Sequence, residues 1–354
     1  MVTIVLTPLV RFGHTAELIA VRDRNPNGAT RAICACSTRT SPERDIAHNS
    51  RVNARLLRWL WTTAALLVGL AVLLVAVVYV MSWRRLTRVH AVTVVVPQAI
   101  PTDAASIARG QHLAHAVASC ALCHGPDLGG QMLGEPGPIG TLAGPNLTRG
   151  EGGLGRTFAD ADWVRGIRHG VHANGTSLLV MPTEAFAFMG EADLAALIAY
   201  LKQLPPVDRA MPASALAPLG RALLVAGQLS ILVAEKTLAM PYPAAVPSGP
   251  TAEYGRYLAG FSGCLGCHGP GLSGGHVDGP PDTPAASNLT PDSTGIQKWT
   301  EADFERALRH GVRPDGRPID VFMPWPNFSG MTDDEVRALW LFIRSMPPKP
   351  FGNR

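Results

Sequence analysis

Cysteine is scarce, with six in 354 residues. Four fall in two five-residue stretches, Cys120-Ala121-Leu122-Cys123-His124 and Cys264-Leu265-Gly266-Cys267-His268. The other two, Cys34 and Cys36, sit two apart in a polar stretch without partners for a metal site. No disulfide framework follows from this usage. Strand signals are absent too, which argues against a sheet-based core. A basic binding face is also missing. The net charge of +4 divides into 12 Lys/Arg against 4 Asp/Glu over residues 1–100 and 19 against 23 over residues 101–354. The basic character belongs to the N-terminal part, and nothing points to nucleic acid.

What is present begins with one long apolar run. Residues 1–50 show no periodicity and carry the turn signal Asn25-Pro26-Asn27-Gly28. They read as a disordered cytoplasmic leader, or as an over-long start, within a first segment of 1–58. From Leu60 to Val80 there are 21 residues without a charge. At ~1.5 Å per residue that is enough to cross a hydrocarbon core of ~30 Å. Trp59 and Trp61 flank the run on one side, Tyr79 and Trp83 on the other, as interfacial aromatics do. A membrane anchor over 59–83 and a linker over 84–102 are expected. Arg39, Arg44, Arg51, Arg55 and Arg58 precede the run and Arg84, Arg85 and Arg88 follow it, which favours an N-terminus inside. No small-x-small cleavage pattern follows, so the anchor reads as uncleaved.

The two cysteine stretches have the C-x-x-C-H spacing of c-type haem attachment. The thiols add to the haem vinyl groups as thioethers and the histidine ligates iron, so Cys120, Cys123, His124, Cys264, Cys267 and His268 are expected to hold two covalent haems. That chemistry takes place outside the bacterial inner membrane, which agrees with the orientation read from the arginines.

Aligning the pentads exposes a duplication of about 100 residues at an offset near 142–144. Asn146-Leu147-Thr148 matches Asn288-Leu289-Thr290, Phe158–Trp163 matches Trp299–Phe304, Arg168–Val171 matches Arg309–Val312, and Met181-Pro182 matches Met323-Pro324. Each copy ends in a helical pattern that runs into Pro-Pro: Leu194, Leu197, Ile198, Leu201 and then Val336, Leu339, Trp340, Ile343. The implied domains are 103–207 and 251–350. Between them, within 208–250, Ala215–Met240 reads as one apolar helix with Arg221, Gln228 and Glu235 on a single stripe. It would pack between the domains or rest on a membrane or partner.

Each copy resembles a class I cytochrome c domain, through the pentad, Gly-Pro-Asn-Leu (Gly144–Leu147), an aromatic-led helix, a Met-Pro and a terminal helix with Ala-Tyr-Leu-Lys (Ala199–Lys202). The whole of 101–350 resembles the diheme electron-transfer subunits of membrane-bound dehydrogenases. The resemblance implies an all-α fold of two tandem cytochrome c domains after the transmembrane helix. It also implies that Pro145 offers its carbonyl to the first proximal histidine, with Ser287 in the second copy, and that Trp299 binds a haem propionate. Phe158 stands in its place in the first copy and has no N–H, so unequal haem potentials are expected.

Two methionines compete for iron in each copy. Met189 and Met331 stand immediately before the terminal helices, where Thr332-Asp-Asp-Glu335 reads as a capping box and Met331 with Val336 as a hydrophobic staple. Packing explains that pair, which leaves Met181 and Met323, each before proline, as sixth ligands. His/Met ligation raises a haem potential and leaves no position for substrate. The expected function is therefore single-electron transfer between a dehydrogenase and a downstream cytochrome or oxidase, without catalysis. The alternatives are the diheme subunit of a respiratory oxidase and a diheme peroxidase, the latter disfavoured by the matched Met-Pro elements. His169 and His310 read as helix-end residues. The two Asn-x-Thr triplets read as pocket loops.

Overall fold

The computed structural model describes residues 19–24, 30–35, 43–237, 241–277 and 283–353. It divides into two compact units, residues 1–75 and 76–354. In the first, β1 (Ile19–Arg24) and β2 (Thr30–Ala35) form an antiparallel hairpin with Val21 opposite Ile33. This departs from the leader expected to lack structure. The runs are six residues each, and the pairing that defines them joins two stretches that neither run announces by itself. The turn signal at 25–28 and Cys36 lie outside the described residues.

The long helix α1 (Glu43–Leu86) starts well before the expected anchor. Its stretch Ala54–Leu86 is long and apolar enough to cross a membrane, and none of its most apolar window is buried in protein. Its last turn, in the second unit, is fastened by polar contacts. Arg85 Nη1 donates to Leu224 O at 2.6 Å and Arg85 pairs with Glu235 at 2.6 Å. Arg221 Nη1 donates to Ser82 Oγ at 3.2 Å and lies over the Tyr79 ring.

The first repeat follows as α2 (Ala104–His112), a π turn (Leu113–Val117), α3 (Cys120–His124), the two-residue strands β3 (Gln131–Met132), β4 (Gly140–Thr141) and β5 (Ala143–Gly144), then α4 (Asp160–His169), α5 (Thr183–Phe186) and α6 (Glu191–Leu201). A connecting segment holds β6 (Ala215–Leu216) and α7 (Pro218–Val225). The second repeat has α8 (Ala252–Phe261), α9 (Cys264–His268), α10 (Glu301–His310), α11 (Trp325–Phe328) and α12 (Asp333–Ser345). Helices dominate. β3 pairs β5 and β4 pairs β6, over two residues each.

The connecting segment corrects the expected helix Ala215–Met240. Pro218 starts α7 in its first turn, where a missing N–H is harmless. Gly227, at φ +73°, takes a left-handed conformation just beyond its end. A single 3₁₀ turn at Val233–Glu235 follows, and residues 238–240 lie outside the described residues. Arg221 and Glu235 form no stripe, since each answers a separate group at the end of α1.

In each repeat the entry helix crosses the terminal helix at a glycine. A Cβ on Gly110 would lie 2.0 Å from Ala196 O, and one on Gly255 would lie 1.9 Å from Ala338 O. These two positions therefore set how closely α2 approaches α6 and α8 approaches α12. Cys120 follows Gly110 by ten positions, whereas Cys264 follows Gly255 by nine. The first repeat absorbs its extra residue as the π turn, closed by Ala118 N–H donating to Leu113 O at 2.8 Å. The pentads thus start from matched positions despite unequal spacing.

Candidate cofactor sites

α3 and α9 are five residues long and cannot persist alone. Each is entered through a left-handed residue, Ser119 at φ +52° and Gly263 at φ +86°. The cysteines at the first and fourth positions share one face, and the histidine closes the turn. Burial of the Cys120 sulfur, with Cys123 beside it, pushes that thiol up to about 12, and burial raises Cys123 and Cys264 as well. Among the described residues no group of three or more His, Cys, Asp or Glu is gathered as a metal ion would require. The two pentads do not combine into a zinc centre.

The histidines are oriented by backbone. His124 Nδ1 donates to Pro145 O at 2.9 Å, and His268 Nδ1 donates to Ser287 O at 2.7 Å. A carbonyl can only accept, so the proton sits on Nδ1 and Nε2 is the lone-pair nitrogen in both rings. Burial lowers the His124 pKa, which favours that neutral form. The loop carrying Pro145 is pressed onto the pentad helix, since a Cβ on Gly144 would lie 1.8 Å from Cys123 O.

That loop is held from below by its asparagine. Asn146 Nδ2 donates to Val207 O at 2.7 Å and Arg209 O at 3.1 Å, while Asn146 Oδ1 accepts from Thr148 N–H at 2.8 Å. Asn288 repeats the device, with Nδ2 donating to Lys349 O at 2.7 Å and Oδ1 accepting from Thr290 N–H at 2.9 Å. Both side chains are buried, so the Asn-x-Thr triplets are loop staples closed to glycosylation in the folded chain.

The methionines separate by environment. Met189 and Met331 are buried just before the starts of α6 and α12, in the same core as Leu194 and Val336. Thr332 and Glu335 form the capping box. Met181 and Met323 are half-buried at the border of the core that also receives Cys120 and Cys264. Met181 follows Val180, a β-branched residue held at φ +69°, a strained conformation that only surrounding structure maintains.

The aromatic positions are exchanged between repeats. Phe158 and Trp163 meet edge-on at 5.1 Å in the first, where the second has Trp299 and Phe304, with Phe304 against Trp340 at 5.6 Å. Trp163 is 3% exposed, yet its Nε1 has no partner among the described residues, and neither has the buried Ser119 Oγ. Buried donors without acceptors are rare and cost about 1–3 kcal/mol each. These orphans fit a group outside the polypeptide. Paired thiols, a lone-pair imidazole nitrogen and an unspent donor beside an apolar core are what a covalently held porphyrin calls for.

The sequence model of the family described as Cytochrome c matches residues 107–205 and 252–347. The chain belongs to the cytochrome c family. It is 30% identical over 276 residues to a diheme cytochrome c-type protein of Cereibacter sphaeroides, covering 68% of this chain and 85% of that protein. To the gluconate 2-dehydrogenase cytochrome c subunit of Pantoea cypripedii it is 30% identical over 275 residues, covering 69% and 60%. To the cytochrome c subunit of alcohol dehydrogenase (quinone) of Gluconacetobacter polyoxogenes it is 38% identical over 97 residues, covering 26% and 21%. The chain therefore spans only about a fifth of the alcohol dehydrogenase subunits it matches. Two cytochrome c domains carry two haem c groups, one iron in each.

Two features escaped the sequence reading. Trp163 was read only as an aromatic in the repeat, and the orphan N–H needs coordinates. A polar cluster joins the repeats, with Tyr254 and Glu335 buried and Arg109, His112, Asp193 and Tyr257 half-buried around them. Its one visible trace was Glu335, read as a helix cap. The recurrent histidines differ as well, with His169 buried and His310 exposed.

Proposed function

We propose that this cytochrome is a membrane-anchored electron carrier that accepts electrons singly from a dehydrogenase and passes them to a downstream cytochrome or oxidase. The observation carrying this reading is the matched construction of the two sites. Each has a histidine oriented through Nδ1 by a loop carbonyl, a buried methionine committed to packing, and a second methionine left at the core border. When bound, each haem iron supplies a one-electron ferric/ferrous couple. His124 with Met181, and His268 with Met323, are the ligands that would hold it. The thioethers of Cys120, Cys123, Cys264 and Cys267 fix the ring, and Pro145 and Ser287 fix the histidines. Leu113, Val117, Leu128 and Leu272, all fully buried, exclude water.

The stretch Ala54–Leu86 would anchor the chain in the inner membrane once, with the cytochrome domains on the periplasmic side. The relatives named as dehydrogenase subunits support a dehydrogenase as donor.

Purified holoprotein tests the ligand assignment. Met181→Ala and Met323→Ala should each abolish about half of the far-red band of Met-ligated ferric haem, an assignment to one iron apiece. Met189→Leu and Met331→Leu should leave the band whole. Persistence of the full band in Met181→Ala and Met323→Ala would overturn it. Recovery of the full-length protein in the soluble fraction would overturn the anchor.

A further inference from the structure

Trp163 is the most enclosed unsatisfied donor in the first repeat. Its indole belongs to the core cluster that borders Cys120, Met181 and Phe158, its ring lies edge-on to Phe158 at 5.1 Å, and its Nε1 meets no acceptor among the described residues. At the corresponding position the second repeat has Phe304, with no N–H to satisfy and with Trp340 beside it at 5.6 Å. The exchange moves the indole five places along the sequence, from the position of Trp299 to that of Trp163, and onto the body of α4.

An indole N–H can only donate. In a core of Leu, Val, Ile and Phe the acceptor has to come from the group that the core encloses. A covalently held haem is apolar over its face, and its hydrogen-bond acceptors at the periphery are the propionate oxygens. We propose that Trp163 is a positioning residue for the first haem, donating its N–H to a propionate and so replacing the donor missing at Phe158. This rests on the haem reading of the first pentad but not on which methionine ligates iron.

The consequence is electrostatic. A donor aimed at a carboxylate offsets part of its negative charge, and less negative charge near the iron favours the ferrous form. Removing the donor should therefore lower the potential of the first haem. It should also raise the propionate pKa, moving the pH range over which that potential varies upwards.

The test is Trp163→Phe, which installs the ring the second repeat already has, and the double exchange Phe158→Trp with Trp163→Phe. Redox titrations at several pH values should show the first haem shifted down in the single variant, the second unmoved, and the shift largely reversed in the double variant. Haem content and the far-red Met band report whether the site itself survives. Both intact with unchanged potentials and unchanged pH dependence would overturn the proposal and leave the haem reading standing. If the single variant does not assemble, resonance Raman of the wild-type protein in H₂O and D₂O decides. A deuterium-sensitive propionate mode of the first haem supports the bond. Its absence, or exchange of the indole proton at the rate of a water-bridged group, rejects it.

Discussion

Arg109 Nη1 lies 2.9 Å from Glu335 Oε1, joining the entry helix of one cytochrome domain to the terminal helix of the other. Both residues belong to a near-symmetric set. Arg109 and Tyr254 occupy equivalent positions one place before the crossing glycines, and Asp193 and Glu335 are both third residues of terminal helices. Arg109 also binds Asp193 at 3.0 Å, Tyr257 reaches across to Asp193 at 2.8 Å, and His112 Nε2 meets Glu335 Oε2 at 2.7 Å. Each acid is thus held by its own domain and by the neighbour. This cluster ties one domain to the other.

Glu335→Gln should destabilise the chain by about 3 kcal/mol, because it removes the buried carboxylate held by Arg109 and His112 while Arg109 keeps Asp193. Tyr254→Phe, which removes only a 3.4 Å contact to the same carboxylate and a 3.0 Å bond from Arg109, should cost about 1 kcal/mol. Denaturant unfolding of the holoprotein measures both. Equal costs would show that the carboxylate is not the centre of the cluster.

The same carboxylate gives a pH signature. Burial alone would raise the Glu335 pKa, but hydrogen bonds from His112, from the Thr332 backbone N–H and from Arg109 outweigh it and hold it at about 2. A folded pKa below the ordinary 4.5 means that the stabilisation is full above the ordinary value and drains as pH falls through about 2. From 4.5 to about 2 corresponds to roughly 3 kcal/mol. Wild type should lose stability across that window by about this much more than Glu335→Gln, as unfolding midpoints at successive pH values would record.

Much of this architecture is legible in the residues. The pentads, the duplicated Met-Pro, the terminal helices and the capping box of Thr332 and Glu335 are local patterns, and local patterns survive without coordinates. Three things do not. Apolar content from Ala215 onward reads as a continuous helix, since Gly227 announces its left-handed turn only weakly against so many leucines and valines. The π turn at Leu113–Val117 is invisible because a one-residue offset looks like alignment noise until Gly110 and Gly255 are seen at the same crossing. Arg109 and Glu335 are far apart in sequence, and only docking of the two domains brings them together.

Gly110→Ala should damage the first domain alone and Gly255→Ala the second. The added Cβ would sit 2.0 Å or 1.9 Å from a backbone oxygen of the opposing helix, so the helices must separate, at a cost of about 3 kcal/mol. Loss of roughly one haem of the two per chain in either variant would reflect this one-to-one relation between crossing and site. Gly69→Ala, at a position with nothing within 4 Å, serves as the control. Full haem content in Gly110→Ala and Gly255→Ala would show that the crossings tolerate expansion.

Asn146 and Asn288 allow a sharper separation between holding a loop and holding a metal. Neither touches its histidine, but each ties down the loop whose carbonyl, at Pro145 or Ser287, sets the histidine tautomer. Asn146→Ala leaves Arg209 O and Thr148 N–H without the amide that pairs them, while Val207 O keeps the Thr148 hydroxyl at 3.3 Å, which should cost about 2–4 kcal/mol from groups worth about 1–3 kcal/mol each when buried and unpaired. The loosened loop should also let His124 Nδ1 lose its acceptor, weakening the imidazole as a donor to iron. The first haem should then show a lowered proportion of its low-spin form at a pH where the second is unchanged, and Asn288→Ala should reverse the pattern. Asn146→Asp keeps the acceptor for Thr148 N–H but has no N–H for Val207 O, so it should fall between wild type and Asn146→Ala. If all three variants lose stability while both haems keep their spin state, the loops brace the fold without governing the ligand.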